Sequence, residues 1–159
     1  MSIRSTAKAI LLHNGKILLN RCLDTHNGDY YTLPGGGQEL FETLEDAVVR
    51  ECLEETGYQV VPQRFAALIE EICDDPDFRR ERPQYAHKML HIFVCALAAP
   101  DRMTATEQDD NQIACEWVDM AALPDIRLLP QAVGQSLPRL VAGEGPLFLG
   151  AWHVAHNHG

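Results

Sequence analysis

The sequence predicts a single domain of the mixed α/β class. Short apolar runs typical of β-strands lie on both sides of one long segment, residues 43–56, which is rich in Glu, Leu, Ala and Arg and lacks Gly and Pro. The 159 residues are 46% hydrophobic, so the chain can bury a core that hides roughly 70% of its unfolded surface. No internal repeat or linker-like stretch divides the chain.

The chain opens with a predicted β-hairpin. Residues 4–13 and 16–22 are apolar runs joined by Asn14-Gly15, and both of these turn residues accept the positive φ of a type I′ turn. A polar loop and a short strand at residues 30–33 follow, and the glycine-rich loop Gly35–Gly37 comes next.

Residues 43–56 are the predicted helix. Thr43 and Asp46 have the spacing of a capping box, although Glu or Gln is usual at the second position. Gly57 is placed to end the helix, since glycine adopts the left-handed conformation found there. The helix should therefore begin just after Thr43 and end just before Gly57.

The remainder of the chain predicts further strands and two helices. Residues 87–98 are apolar on both faces in their second half, which is typical of a central strand. We also expect a strand over 58–72 with an interruption at Pro62, a charged loop over 74–86, a loop over 100–111, a strand over 113–118, a short helix near Pro124, a helix over 130–141, an edge strand over 146–152, and a disordered polar tail over 153–159.

Composition excludes several classes of protein. The 13 Lys and Arg against 23 Asp and Glu leave a net charge of −10, whereas binding to a nucleic acid backbone needs a surplus of cations. Five scattered cysteines without a C-x-x-C pair indicate reduced thiols, not disulfides or a zinc site. No stretch approaches the ~20 apolar residues of a membrane span. We therefore expect a cytoplasmic protein.

Three carboxylates of the predicted helix indicate a metal site. Glu51, Glu54 and Glu55 have i, i+3 and i+4 spacing, and at about 100° per residue Glu51 and Glu55 fall within the apolar stripe of the helix. Burying like charges is unfavourable unless cations accompany them, and hard oxygen ligands suit Mg²⁺ or Mn²⁺. A solvated helix face is the alternative interpretation.

The glycine-rich loop and the helix together carry a specific motif. Gly36, five residues, Glu42, seven residues and then Arg50-Glu51-Cys52-Leu53-Glu54-Glu55-Thr56-Gly57-Tyr58 agree at all seven fixed positions with the Nudix box, G-x5-E-x7-R-E-U-x-E-E-x-G-U. At residue frequencies of roughly 6%, a chance match in this chain is on the order of one in a million. The chain therefore resembles a Nudix hydrolase.

The agreement is weaker at the positions that are not fixed. Cys52 and Tyr58 occupy the two bulky U positions, and both are apolar enough to pack in a core. Many family members have Pro-Gly where this chain has Leu40-Phe41, so the loop before the helix is expected to differ in shape.

The resemblance implies a fold and a chemistry. The fold would be an α/β/α sandwich around a mixed β-sheet, formed here by residues 1–152. Family members hydrolyse nucleoside diphosphates linked to another moiety, usually with Mg²⁺. Carried over by position, Gly36, Glu51, Glu54 and Glu55 would ligate the metal, while Arg50 would orient a carboxylate, Glu42 would support them, and Glu54 would activate water.

Further candidates lie outside the motif. In some family members an acidic residue before a late strand completes the site, and Asp110 is our choice over Glu107 and Asp109. Arg79, Arg80 and Arg82 could bind a phosphate, because arginine binds phosphate bidentately, although a plain charged loop is the alternative. Phe41 could stack on a base beside the metal site, whereas Trp117 is expected to lie in the core.

The predicted function is a divalent-metal-dependent pyrophosphohydrolase. Its partner would be a small nucleotide diphosphate, with ADP-ribose or a nucleotide sugar favoured over an oxidised nucleoside triphosphate, and a homodimer is compatible with this function. The alternative is a non-catalytic Nudix domain that binds a nucleotide metabolite. Removal of RNA caps is disfavoured by the acidity of the chain. No membrane association is expected.

Overall fold

The structure is a computed structural model that describes residues 2–158. Its strands are β1 (Arg4–His13), β2 (Lys16–Asp24), β3 (Gly28–Thr32), β4 (Gly35–Gly37), β5 (Val60–Cys73), β6 (His87–Leu97), β7 (Gln112–Asp119) and β8 (Leu147–Val154). Its helices are α1 (Leu44–Thr56), α2 (Pro76–Glu81) and α3 (Gln131–Val141), and short 3₁₀ helices cover Pro83–Tyr85 and Met120–Asp125.

The strands form one mixed sheet. Their order is β3-β2-β1-β6-β5-β8, with β4 paired to β1 and β7 paired to β2. The pairs β1–β6 and β5–β8 are parallel, whereas the other pairs are antiparallel. The predicted hairpin of β1 and β2 and the central position of β6 are confirmed.

Helices cover both faces of this sheet. Ala47, Val48 and Cys52 of α1 pack with Ala9 of β1, whereas α3 packs with Ile10, the next residue of β1, on the other face. Successive strand residues point to opposite faces, so one strand supplies both cores. The predicted α/β/α sandwich is confirmed.

Helix α1 begins and ends where the sequence predicts. The Thr43 side chain accepts a hydrogen bond from the Asp46 amide at 3.1 Å, and Gly57 has φ of 79°. A Cβ at Gly57 would collide with the Met103 carbonyl oxygen, because the loop after β6 packs against this end of the helix. Glycine is therefore required here both for its conformation and for this contact.

Two predictions in the middle of the chain are wrong in detail. The predicted loop over 74–86 contains α2, since the Asp75 carboxylate accepts hydrogen bonds from the amides of Asp77 and Phe78 and Pro76 suits the first turn. Strand β5 also continues past Pro62. Proline has no amide hydrogen to donate to β6, and the pairing of β5 with β6 shifts in register between Pro62 and Arg64.

The last described residues extend the predicted edge strand and contact the body of the domain. Strand β8 continues to Val154, and the Asn157 side chain accepts a hydrogen bond from Lys88 Nζ at 2.5 Å. Lys88 is itself buried beside Glu71, with Nζ and Oε1 2.7 Å apart, and the His158 amide donates to the same carboxylate. The tail thus supplies partners to a buried ion pair, which composition alone does not reveal.

No helix in the described part of the chain is both long and apolar enough to span a membrane.

Candidate active site

The carboxylates of α1 are unequally buried. Glu55 is 4% exposed and lies among the buried residues of the helix, while the side chains of Glu51 and Glu54 are 17% and 27% exposed. The predicted placement of Glu51 and Glu55 on the inward stripe therefore agrees with the structure. The solvated-face alternative is wrong for Glu55.

Arg50 ties the carboxylates to the glycine-rich segment. Its guanidinium binds Glu42 through two hydrogen bonds of 2.7 and 3.0 Å, and its Nη1 lies 3.0 Å from Glu51 Oε1 and 3.1 Å from Glu54 Oε2. Nη2 also donates to the Gly37 carbonyl at 2.9 Å. The hydrogen bonds that Arg50 donates to Glu42 hold the pKa of Glu42 below its usual value. Arg50 thus positions three carboxylates and the backbone of β4.

Glu55 is a buried carboxylate without a paired cation among residues 2–158. Asn20 Nδ2 donates a hydrogen bond to its Oε1. Burial raises its pKa to about 8, with contributions from the negative charges of Asp109 and Glu51 and an opposing effect of Lys8. Burial also raises the pKa of Glu51 in spite of the ion pair with Arg50. A cation bound at this site would therefore favour the ionised form of both carboxyls.

The glycines of β4 allow the backbone to approach the carboxylates. A Cβ at Gly36 would collide with the carboxylate of Glu51. Gly35 has φ of 133° and faces the backbone of β1 so closely that a Cβ would meet the Ala7 carbonyl oxygen. Lys8 Nζ donates to the Gly35 carbonyl at 2.9 Å. A side chain at Gly36 would push β4 away from α1, and one at Gly35 would push it away from β1.

The donor set suits a hard divalent cation. It consists of carboxylate oxygens and nearby backbone carbonyls, which are the ligands that Mg²⁺ and Mn²⁺ prefer. Within residues 2–158, no three acidic, histidine or cysteine side chains converge closely enough to hold a metal ion, since Arg50 holds Glu51 and Glu54 while Asn20 holds Glu55. Arg50 binds one oxygen of Glu51 and one of Glu54, so binding of a cation would require the carboxylates to come closer together.

Of the predicted residues outside the helix, Phe41 and Asp110 are exposed, whereas Trp117 packs against the core. Phe41 is fully exposed with φ of 69°, in a turn where the Glu42 side chain accepts the Glu39 amide. Asp110 is exposed, and the charge that contributes to the raised pKa of Glu55 is that of Asp109 instead. Trp117 packs beside Tyr58, whose hydroxyl accepts its indole N–H at 3.0 Å, as predicted.

Two of the three arginines in the 79–82 segment are paired with acidic neighbours. Arg79 pairs with Asp74 at 2.8 Å, and Arg80 pairs with Asp77 at 2.7 Å. Arg82 is exposed. Phosphate binding by these three residues stays a prediction.

Sequence reasoning missed three residues at this site. Asn20 and Lys8 contact Glu55 and Gly35, and Arg4 lies against Gly37. Each comes from the first hairpin, and the alternation of β1 places Arg4 and Lys8 on one face. A polar or cationic residue within an otherwise apolar strand is the sequence pattern that could have indicated these three residues.

Comparison with known proteins decides the family. The NUDIX domain profile matches residues 3–140. This chain belongs to the NUDIX family. Over 145 residues, this Nudix chain is 29% identical to a putative nudix hydrolase 1 of Caenorhabditis elegans, and the match covers 88% of this chain but 35% of that protein. This Nudix chain thus spans about a third of that relative's length.

Other similar proteins match over most of their length. An RNA pyrophosphohydrolase of Zymomonas mobilis is 26% identical over 135 residues, which cover 79% of this chain and 85% of that protein. A NUDIX hydrolase from Nitrosomonas europaea superposes with a TM-score of 0.69 at 19% identity, over 91% of this chain and 93% of that one. An ADP-ribose pyrophosphatase from Streptococcus suis superposes with a TM-score of 0.59 at 20% identity, over 96% of this chain and 100% of that one. These two structures share the Nudix fold.

Proposed function

We propose that this Nudix protein hydrolyses the diphosphate bond of a nucleoside-diphosphate derivative with the help of Mg²⁺ or Mn²⁺. The observation that carries the proposal is the α1 cluster, in which Glu55 is buried, has no paired cation among residues 2–158, and lies beside Glu51 and next to β4. A divalent cation would hold Glu55 in its ionised form, balance the charge of the cluster and attract the diphosphate, which a chain of net charge −10 would otherwise repel.

The residues of the cluster would take different roles. Glu51, Glu54 and Glu55, with the Gly36 carbonyl, would hold the cation, which when bound polarises phosphoryl oxygens and lowers the pKa of bound water. Arg50 would keep Glu42 and the backbone of β4 in place. Glu54, the most exposed of Glu51, Glu54 and Glu55, is our choice for the residue that accepts a proton from the attacking water.

ADP-ribose or a nucleotide sugar is the proposed substrate class, ahead of an oxidised nucleoside triphosphate. A fold neighbour carries the name ADP-ribose pyrophosphatase, whereas a relative is named RNA pyrophosphohydrolase, so both substrates belong in the test. We favour the small nucleotide because the arginines at 79 and 80 are already paired with acidic neighbours, which leaves little positive charge for an RNA chain.

The test is a substrate screen in which released monophosphate is measured with Mg²⁺, with Mn²⁺ and with excess chelator. ADP-ribose, a nucleotide sugar, an oxidised nucleoside triphosphate and RNA with a 5′-triphosphate would be compared at equal concentrations. We expect the first two to be cleaved fastest, giving two monophosphates, and only when metal is present. Binding of these compounds without any turnover would contradict the proposal and favour a non-catalytic nucleotide-binding domain.

A matched pair of variants connects the activity to the cluster. Glu54→Gln removes one carboxylate that Arg50 holds, and Glu45→Gln removes an exposed carboxylate from the first turn of the same helix. We expect the first to lose at least a hundredfold in turnover, the order found when an electrostatic group is lost from a catalytic site. The second should stay within about twofold of the parent, because its charge is solvated.

A further inference from the structure

Asn20 is a buried polar residue in an otherwise apolar stretch of β2. The three residues before it, 17–19, are buried aliphatic side chains, and Asn20 itself is 1% exposed. It pairs with Thr32 of β3 on one side and with Cys115 of β7 on the other. The neighbouring strands therefore hold its backbone from both sides, and side chains on such strands are positioned more precisely than side chains on loops.

The Asn20 amide binds a carboxylate that Arg50 does not reach. Asn20 Nδ2 donates a hydrogen bond to Glu55 Oε1, and no other side chain of residues 2–158 donates to Glu55. Arg50 instead binds Glu51 and Glu54. These three carboxylates are thus divided between two partners, with a cation at Glu51 and Glu54 and a neutral amide at Glu55.

The neutrality of the amide matters for the binding of a metal ion. An ammonium or guanidinium group paired with Glu55 would balance its charge and repel a second cation. An amide holds an oxygen of the carboxylate without balancing that charge. Lys8 does not take the place of the amide, because its Nζ donates to the Gly35 carbonyl at 2.9 Å. The charge of an ionised Glu55 is therefore left for a bound cation.

The oxygen of the same amide lacks a partner in the described chain. Asn20 Oδ1 is buried and accepts no hydrogen bond from residues 2–158. A buried acceptor without a partner is unfavourable, so such a group in a folded protein indicates a bound water, an ion or a functional role. A hydrated cation held by Glu55 would bring hydrogen-bond donors to this part of the site. Both ends of the Asn20 amide thus fit a metal at the cluster.

We propose that Asn20 is the positioning residue for Glu55 in metal binding. The proposal rests on the proposed function and adds to it a residue that lies outside the Nudix box. By holding Oε1, the amide limits the rotation of the Glu55 side chain, while Oε2 accepts no side-chain hydrogen bond within residues 2–158. Removing a hydrogen bond of this kind from a metal ligand typically weakens metal affinity by about 10- to 100-fold.

The alternative is a purely structural role, in which the amide only compensates the burial of Glu55. Loss of the amide would then lower the stability of the fold and leave the metal affinity of the folded protein unchanged. Asn27 provides a matched control for this case, because it is also a buried asparagine, at 7% exposure. Its Nδ2 donates to the Asn157 carbonyl at 2.8 Å, and it forms no hydrogen bond with α1.

The test is calorimetry with Mn²⁺ alone, without nucleotide, on folded protein at one temperature. In Asn20→Ala, we expect the dissociation constant for Mn²⁺ to rise at least tenfold, whereas in Asn27→Ala it should change less than twofold. Because Asn20 acts through Glu55, Asn20→Ala in a Glu55→Gln background should change the constant less than twofold further. Asn20→Ser keeps a hydroxyl at this position and should bind Mn²⁺ more weakly than the parent but more tightly than Asn20→Ala.

The outcomes separate this proposal from the proposed function. An unchanged Mn²⁺ affinity in Asn20→Ala, an equal loss in Asn27→Ala, or a full additional loss in the Glu55→Gln background would overturn the role of Asn20, even if the parent hydrolyses nucleotides. A parent that cleaves no nucleotide, with the selective loss of Mn²⁺ affinity still observed, would instead overturn the proposed reaction and leave the role of Asn20 standing. Thermal unfolding in chelator shows whether Asn20→Ala is folded; if it is not, parental Mn²⁺ affinity in Asn20→Ser would overturn the proposal.

Discussion

The substitution Glu55→Gln separates two effects of the buried carboxyl, its cost to the stability of the fold and its proposed role in metal binding and activity. In the folded chain Glu55 is 4% exposed and burial raises its pKa from the ordinary 4.5 to about 8. Glutamine has the same shape without the charge, and its amide can accept from Asn20 Nδ2 and donate to Asn20 Oδ1, which has no partner within residues 2–158. The variant should therefore keep the packing of α1.

The direction and size of the effect follow from proton linkage. A carboxyl whose pKa is raised by folding binds protons more tightly in the folded state, so its contribution to stability is complete below pH 4.5 and is lost as the pH rises toward about 8. At 1.36 kcal/mol per pKa unit, the loss at pH 7 is about 3 kcal/mol. Without metal, Glu55→Gln should be more stable than the parent by up to that amount at pH 7, and nearly equal to it at pH 4.5.

The assay is thermal unfolding between pH 4.5 and 9 in chelator, repeated with Mg²⁺ and accompanied by turnover. At roughly 2–4 °C per kcal/mol, the variant should melt about 6–12 °C higher than the parent at pH 7 without metal. With metal the parent should gain stability that the variant largely lacks, and the variant should lose at least a hundredfold in activity. Glu45→Gln, at an exposed position of the same helix, should show neither effect. A Glu55→Gln variant with near-parental turnover, or one less stable than the parent at every pH, would refute the reasoning.

Four further measurements test other parts of the structure. Mg²⁺ at one hundred times its dissociation constant should stabilise the fold by about 2.7 kcal/mol, and no rise in melting temperature would exclude a specific site. Capped or triphosphorylated RNA should be a slower substrate than ADP-ribose in a side-by-side assay, and the reverse order would contradict the proposed substrate class. Phe41→Gly should stabilise the chain by about 1 kcal/mol in urea unfolding, because Phe41 has φ of 69° and glycine adopts this conformation without strain. Glu71→Gln should lower the free energy of unfolding by about 3–5 kcal/mol near neutral pH, because it leaves Lys88 unpaired. This loss should shrink as the pH falls below 4.5, since His158 and Lys88 lower the pKa of Glu71 in the folded chain. An unchanged loss at low pH would contradict this prediction.

Local signals predict the parts of the fold that neighbouring residues determine. The Asn14-Gly15 turn, the Thr43 cap and the Gly57 stop each depend on a few residues in sequence, and the structure has all three as predicted. The charged segment after β5 was predicted as a loop, although Asp75 caps a short helix there. A six-residue helix carries too little periodicity to be recognised from its pattern.

The motif spacing likewise predicts the centre of the site. Because α1 is one helix, the spacing of its residues in sequence determines which side chains lie close together. The motif therefore predicts that Arg50, Glu51, Glu54 and Glu55 are neighbours. The apolar stripe of the helix also predicts which carboxylates face the core, because Glu51 and Glu55 fall within it. The sequence by itself therefore determined the family, the helix and the carboxylate cluster.

The tertiary structure alone decided which distant residues complete the site. The pairing of β1 with β4 aligns Thr6 with Gly37 and Lys8 with Gly35, and this register brings Lys8 and Arg4 to the glycine strand. Likewise, Glu71, Lys88 and Asn157 contact one another only when β5, β6 and the last described residues come together. Strand register and the partners of buried charges depend on contacts between residues far apart in sequence, so no local pattern specifies them.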